Sequence, residues 1–161
     1  MVLKLADKQT IWMFVLTGFL LIPVVFISMD VLKHINTDPV ETAYISKDCD
    51  LHTSSCEALF KDGGKLIFSI KPTPVAPLLP LELRAELVSM DAESVRVDFQ
   101  GVGVEMGFYR PQLTDQGNNV YTGTASLAVC TLDKMLWQST VIIKSDKGTV
   151  VAPFQFEVEQ P

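Results

Sequence analysis

Between Lys8 and Asp30 the chain runs for 21 consecutive uncharged positions, and the apolar part of that run, Ile11 to Met29, reads IWMFVLTGFLLIPVVFISM. Bilayer hydrocarbon is about 30 Å thick and takes roughly 20 apolar residues of α-helix to span. The run therefore predicts one N-terminal transmembrane helix over 11–29. Pro23 is compatible with it, because a lipid-embedded helix re-satisfies the freed carbonyl by local adjustment. A cleaved signal peptide is the competing reading, but its apolar run is about 7 to 15 residues and ends in a small-x-small site. This run is longer, and Ser28-Met29-Asp30 fits such a site poorly, which favours an uncleaved anchor.

Charge orients the span. Lys4 and Lys8 against Asp7 give the N-terminal tail +1, so of the formal −6 on the whole chain, −7 lies from Asp30 onward. Two lysines before the span, and a first basic residue after it only at Lys33, place the N-terminus in the cytoplasm by the positive-inside rule. Residues 1–10 then read as a cytoplasmic tail and 30–64 as a juxtamembrane tether, with 65–161 a single outer domain. An acidic exterior argues against nucleic acid and anionic lipid surfaces as partners.

The tether shows no sustained period, is expected from Asp38 to Gly64 to pack partly on the domain, and closes on the breaker Asp62-Gly63-Gly64. From Lys65 the pattern changes to short alternating runs separated by turn formers, the rhythm of an antiparallel all-β domain. Leu81, Leu83, Ala85 and Leu87 alternate with Glu82, Arg84 and Glu86; Val95, Val97 and Phe99 alternate with Arg96 and Asp98. Each reads as a strand with one dry face. Pro72, Pro74, Pro77 and Pro80 suggest an extended sheet edge, and Gly101, Gly103 and Gly107 a distorted strand over 102–109. Tyr121 to Val129 and Met135 to Lys144 alternate again, and Asp146-Lys147-Gly148 predicts a hairpin turn before Phe154, Phe156 and Val158. About seven strands in this length predict an immunoglobulin-like β-sandwich, with Trp137 in its core.

Chemistry-bearing residues are few. Cys49, Cys56 and Cys130 allow three single disulfides, each leaving one thiol over. Cys49 with Cys56 closes a local loop; either with Cys130 staples the tether to the domain. Thiolate and thioether together select Cu(I), and Cys130, Met106 and Met135 are the candidate ligands, with Met90 and His52 as further donors. Cys49-x2-His52-x3-Cys56 does not match a standard zinc spacing. Only His34 and His52 exist to act as bases, and no glycine-rich phosphate loop or paired-carboxylate cleft is present, so neither an enzyme nor a small-molecule substrate is expected. Glu82, Glu86, Asp98 and Glu105 read as solvated surface.

The runs VRVDFQGVGVEMGFYRPQL, YTGTASLAVC, MLWQSTVII and APFQFEV resemble a group of uncharacterised membrane-anchored proteins of proteobacteria. That group in turn resembles the YtkA/FixH-like set of single-span proteins with an immunoglobulin-like outer domain. The resemblance covers about 66–158 and implies a periplasmic accessory role beside copper handling or assembly of a respiratory oxidase. It carries no catalytic residue over. The expectation is a single-pass inner-membrane protein whose partner is a membrane protein complex. Its alternative is a structural accessory subunit or interaction module with no metal role.

Overall fold

The computed structural model describes residues 41–104, 109–128 and 134–159. The expected tail 1–10 and span 11–29 lie outside these residues, as do the start of the tether, Met106 and Cys130. The described chain is all-β, in two sheets of four and six strands. Among the described residues no helix is long and apolar enough to cross a membrane.

Ten strands follow in order: β1 (Glu41–Thr42), β2 (Tyr44–Ile45), β3 (Cys56–Leu59), β4 (Lys65–Lys71), β5 (Leu81–Val88), β6 (Ser94–Gly101), β7 (Thr114–Asp115), β8 (Val120–Ala125), β9 (Lys134–Ser145) and β10 (Gly148–Glu159). One sheet has the order β1-β10-β9-β6 and the other β2-β3-β4-β5-β8-β7. Every pairing is antiparallel except β1 with β10. Sequence alternation becomes burial directly: in β5, Leu81, Leu83, Ala85 and Leu87 are buried while Glu82 and Arg84 face out. The inward side chains of both sheets form one apolar cluster. Within it, Phe68 of β4 stacks on Phe154 of β10, ring centroids 5.4 Å apart.

Seven strands, β4 to β10, fall within 65–161, but the fourth is displaced. β6 runs to Gly101 and Gly103 turns the chain at φ 81°, so 102–104 form a turn; of the distorted strand expected over 102–109, residues 105–108 lie outside the described residues. Segment 109–113 instead lies along the far edge of β6. Val97 N–H donates to Pro111 O (3.0 Å) and Leu113 N–H to Val95 O (2.9 Å). The chain then changes sheet and pairs through β7 with β8. Gly123 of β8 accommodates this crossing, since a Cβ there would come within 2.7 Å of Leu113 Cδ2. The proline-rich residues 72–80 form the loop between β4 and β5, not a sheet edge.

The tether needs the larger correction. Residues 41–64 supply β1, β2 and β3 and bury Ala43, Leu51, Cys56, Ala58 and Phe60. Over five residues the chain pairs in parallel with β10, passes Ala43 N–H to Val151 O, and joins β3 in the other sheet. Periodicity missed these strands because two of them are only two residues long, shorter than any alternating pattern.

Trp137 is 4 % exposed on the inner face of β9, as its mid-strand position predicts. Trp137→Ala should cost about 3 to 5 kcal/mol, measured by urea unfolding; an unchanged midpoint would remove the indole from the core.

Candidate interaction surface

Of the three expected metal ligands only Met135 falls among the described residues. Met135 is buried on the inner face of β9, across from Val158 of β10, as a core side chain. Met106 and Cys130 lie outside the described residues. Met90 packs partly buried against the core. Among the described residues, no group of three or more His, Cys, Asp or Glu side chains is placed to hold a metal ion.

Of the three pairings the sequence allows, the structure has the local one: Cys49 and Cys56 form a disulfide, with Cα atoms 5.3 Å apart. The ring it closes is folded rather than slack. Asp50 accepts the His52 N–H through Oδ1 (2.9 Å), and its carbonyl accepts from Thr53 and Ser54 N–H (both 3.1 Å). Leu51 is driven into the core at 1 % exposure. His52, between them, points the other way: its Nε2 meets the carbonyl oxygen of Glu157 on β10, and its ring lies edge-on to Phe156 at 6.0 Å. His52 lies in the segment expected to be the tether, and it is a contact between the disulfide loop and the last strand.

Beside it stands a small charge network. Lys134 at the start of β9 reaches Glu157 (3.1 Å) and Glu159 (2.6 Å). Hydrogen bonding to Glu159 and then Glu157 raises the lysine pKa, and the bond from Lys134 lowers that of Glu159.

The larger surface feature is apolar. At the end of the sheets where β8 leads into β9, a groove of about 580 Å³ is lined by Leu78, Phe99, Tyr109, Leu127 and Trp137. Leu78 is 70 % exposed, and Leu79, Val102, Tyr109 and Leu136 are also exposed. Leu78 sits at φ 63°, where its N–H reaches Leu127 O (3.2 Å). A bulky residue in the left-handed region is a strained backbone that persists only where surrounding contacts hold it. The strain here projects a leucine into solvent at the rim of an apolar groove. Alternation could not reveal this, since it marks inward faces and Leu78 lies in a loop.

On the outer face of β6 one carboxylate departs from expectation. Glu82 and Glu86 face out as read, but Asp98 is 5 % exposed. Its Oδ2 accepts from Arg110 Nε (3.0 Å), in the segment that runs beside β6, and from Gln100 Nε2 (3.1 Å). Asp98 Oδ1 has no hydrogen-bond partner among the described residues. The pairing ties the crossing segment to the strand beneath it.

No protein family, no curated protein and no solved structure matches the chain.

Two outcomes follow from this geometry. Arg110→Ala strips a half-exposed cation from a buried carboxylate, so it should cost about 1 to 3 kcal/mol in urea unfolding; a surface-like change of a few tenths would show that Asp98 does not depend on it. For the exposed pair, a lowered Glu159 pKa means a contribution present above the unfolded carboxylate value and lost as pH falls through the folded one. The raised Lys134 pKa sets the alkaline limit in the opposite sense. In Lys134→Met the Glu159 carboxyl, followed by NMR titration, should therefore move up towards its ordinary value.

Proposed function

We propose that this chain is a single-pass, inner-membrane accessory protein whose periplasmic domain is an immunoglobulin-like β-sandwich that binds another membrane protein. The uncharged run 11–29 and the acidic domain after it support the membrane placement. Strand order supports the fold type. Within β4 to β10, one sheet reads β4-β5-β8-β7 and the other β6-β9-β10, the order in which the seven strands of an immunoglobulin constant-type domain are arranged. β1 to β3 are then additions at the N-terminal side. The resemblance to the YtkA/FixH-like set points to assembly of a respiratory oxidase as the setting.

The observation that carries a binding role is the apolar end of the domain, where Leu78 is held out at a strained φ beside the groove floored by Phe99 and Trp137. Large exposed apolar patches on a folded domain mark interaction sites. Confinement to a membrane raises the effective concentration of a co-embedded partner without new contacts. Copper handling through Cys130, Met106 and Met135 is the alternative; the burial of Met135 in the core supports the binding module instead.

A photo-crosslinking residue at Leu78 of the full chain in native membranes should give a discrete adduct with one membrane protein. The same probe at Lys147, in the β9–β10 turn at the opposite end, should give none, and Tyr109→Asp should abolish the Leu78 adduct. Equal labelling from both positions would overturn the reading.

A further inference from the structure

β10 has a register partner in β9 for every residue from Gly148 to Glu159. On its other edge, among the described residues, β1 pairs only with Val150 and Val151. Backbone groups alternate sides along a strand, as the antiparallel ladder requires. Val151 O accepts from Ala43 N–H on that outer edge, and Glu157 O meets His52 there. The same parity turns the backbone groups of Pro153, Gln155 and Glu159 outward. Pro153 has no N–H, so the outward donors beyond β1 belong to Gln155, Glu157 and Glu159.

A row of outward N–H and C=O groups is a template for another strand, and folded proteins cover or interrupt it. Here Pro153 interrupts it at one end, and at the other the Cys49–Cys56 loop sets His52 on the Glu157 carbonyl. We propose that the β10 edge from Pro153 to Glu159 is a strand-addition site for an extended partner segment carrying Lys or Arg at alternate positions, kept shut by His52 while the Cys49–Cys56 disulfide is intact.

The charge of the occupant follows from the outer face of the strand. Gln155, Glu157 and Glu159 are exposed there, alternating with buried Phe154, Phe156 and Val158. Cross-strand neighbours on one face of a sheet favour opposite charges and disfavour like ones. On the β9 side, Lys134 already meets both glutamates. A second copy docked antiparallel, edge to edge, would instead bring these acidic side chains against their own counterparts, so a basic extended segment is the occupant that fits.

Opening is a two-electron reduction. A dithiol reductant transfers two electrons and two protons; the S–S bond breaks, Cys49 and Cys56 become thiols, and the reductant leaves as a disulfide. Loss of so short a covalent ring frees the loop's conformations and raises its open population by about 10- to 100-fold. Leu51 stays as an apolar anchor, so the loop loosens around it while His52 leaves the edge. The inference rests on the chain being a protein-binding module, but not on the Leu78 groove.

The test is titration of the full chain with a labelled peptide alternating Val and Lys, and with its Val and Glu counterpart. The oxidised chain should bind the basic peptide weakly. The reduced chain, and oxidised His52→Ala with its disulfide intact, should bind it about tenfold tighter or more, and neither should take the acidic one. Gln155→Pro removes an outward N–H while leaving the β9 ladder whole, and should abolish the gain. Because His52→Ala keeps the disulfide, it decides the matter even if the reduced chain loses its fold. No gain in His52→Ala, equal binding of the acidic peptide, a gain that survives Gln155→Pro, or self-association in place of peptide binding would each overturn the proposal. Crosslinking from Leu78 is untouched by Gln155→Pro, so the two readings fail separately.

Discussion

The stacking of Phe68 on Phe154 joins the two sheets at their centre, and the rest of the described structure is arranged so that this contact stays dry. Both rings are almost fully buried, on strands that are neighbours in neither sheet. Aromatic pairs of this kind contribute about 0.5 to 1.5 kcal/mol beyond the area they bury. Their larger effect is positional. With β4 and β10 face to face, the hairpin partners β5 and β9 bring Leu83, Ala85, Val141 and Ser139 into the same interior. Ser139 Oγ has no hydrogen-bond partner among the described residues, an uncompensated cost in an otherwise apolar interior.

The chain closes this interior at its margins by moving strands from one sheet to the other. Segment 109–113 lies along β6, tied to it by the Asp98–Arg110 pair, and continues into β7, which pairs with β8. The N-terminal strands do the same in five residues, with Ala43 at the pivot. A crossing of this kind shares its backbone hydrogen bonds between both sheets, so neither sheet can slide without breaking bonds in the other. The disulfide loop adds a third tie, since Leu51 enters the core while His52 reaches β10. The two surfaces on which the proposed binding rests lie where these ties meet solvent: the apolar rim around Leu78 and the outer edge of β10.

Residues 65–159 were largely legible as strands because their faces alternate. Leu81 to Leu87, Val95 to Phe99 and the β9–β10 hairpin need no information beyond period two and a turn at Asp146-Lys147. The short strands of 41–59 were not legible, because β1 and β2 are two residues each and β3 only four, too short to carry a period, and the partner of β1 lies more than a hundred positions away at Val150 and Val151. Asp98 misled for a related reason. Alternation assigns it correctly to the outer face of β6, but the arrival of Arg110 from the segment beside that strand is a matter of chain path.

The sequence alone determined the all-β character, the dry faces of the long strands, the core place of Trp137 and an uncharged run long enough to cross a membrane. These are local properties, written in periodicity and in the length of an apolar run. Only the tertiary structure decided that Cys49 pairs with Cys56, that His52 caps β10, that Asp98 is buried and that Leu78 is held out beside a groove. Each depends on which distant segments lie side by side, and a one-dimensional pattern does not record that.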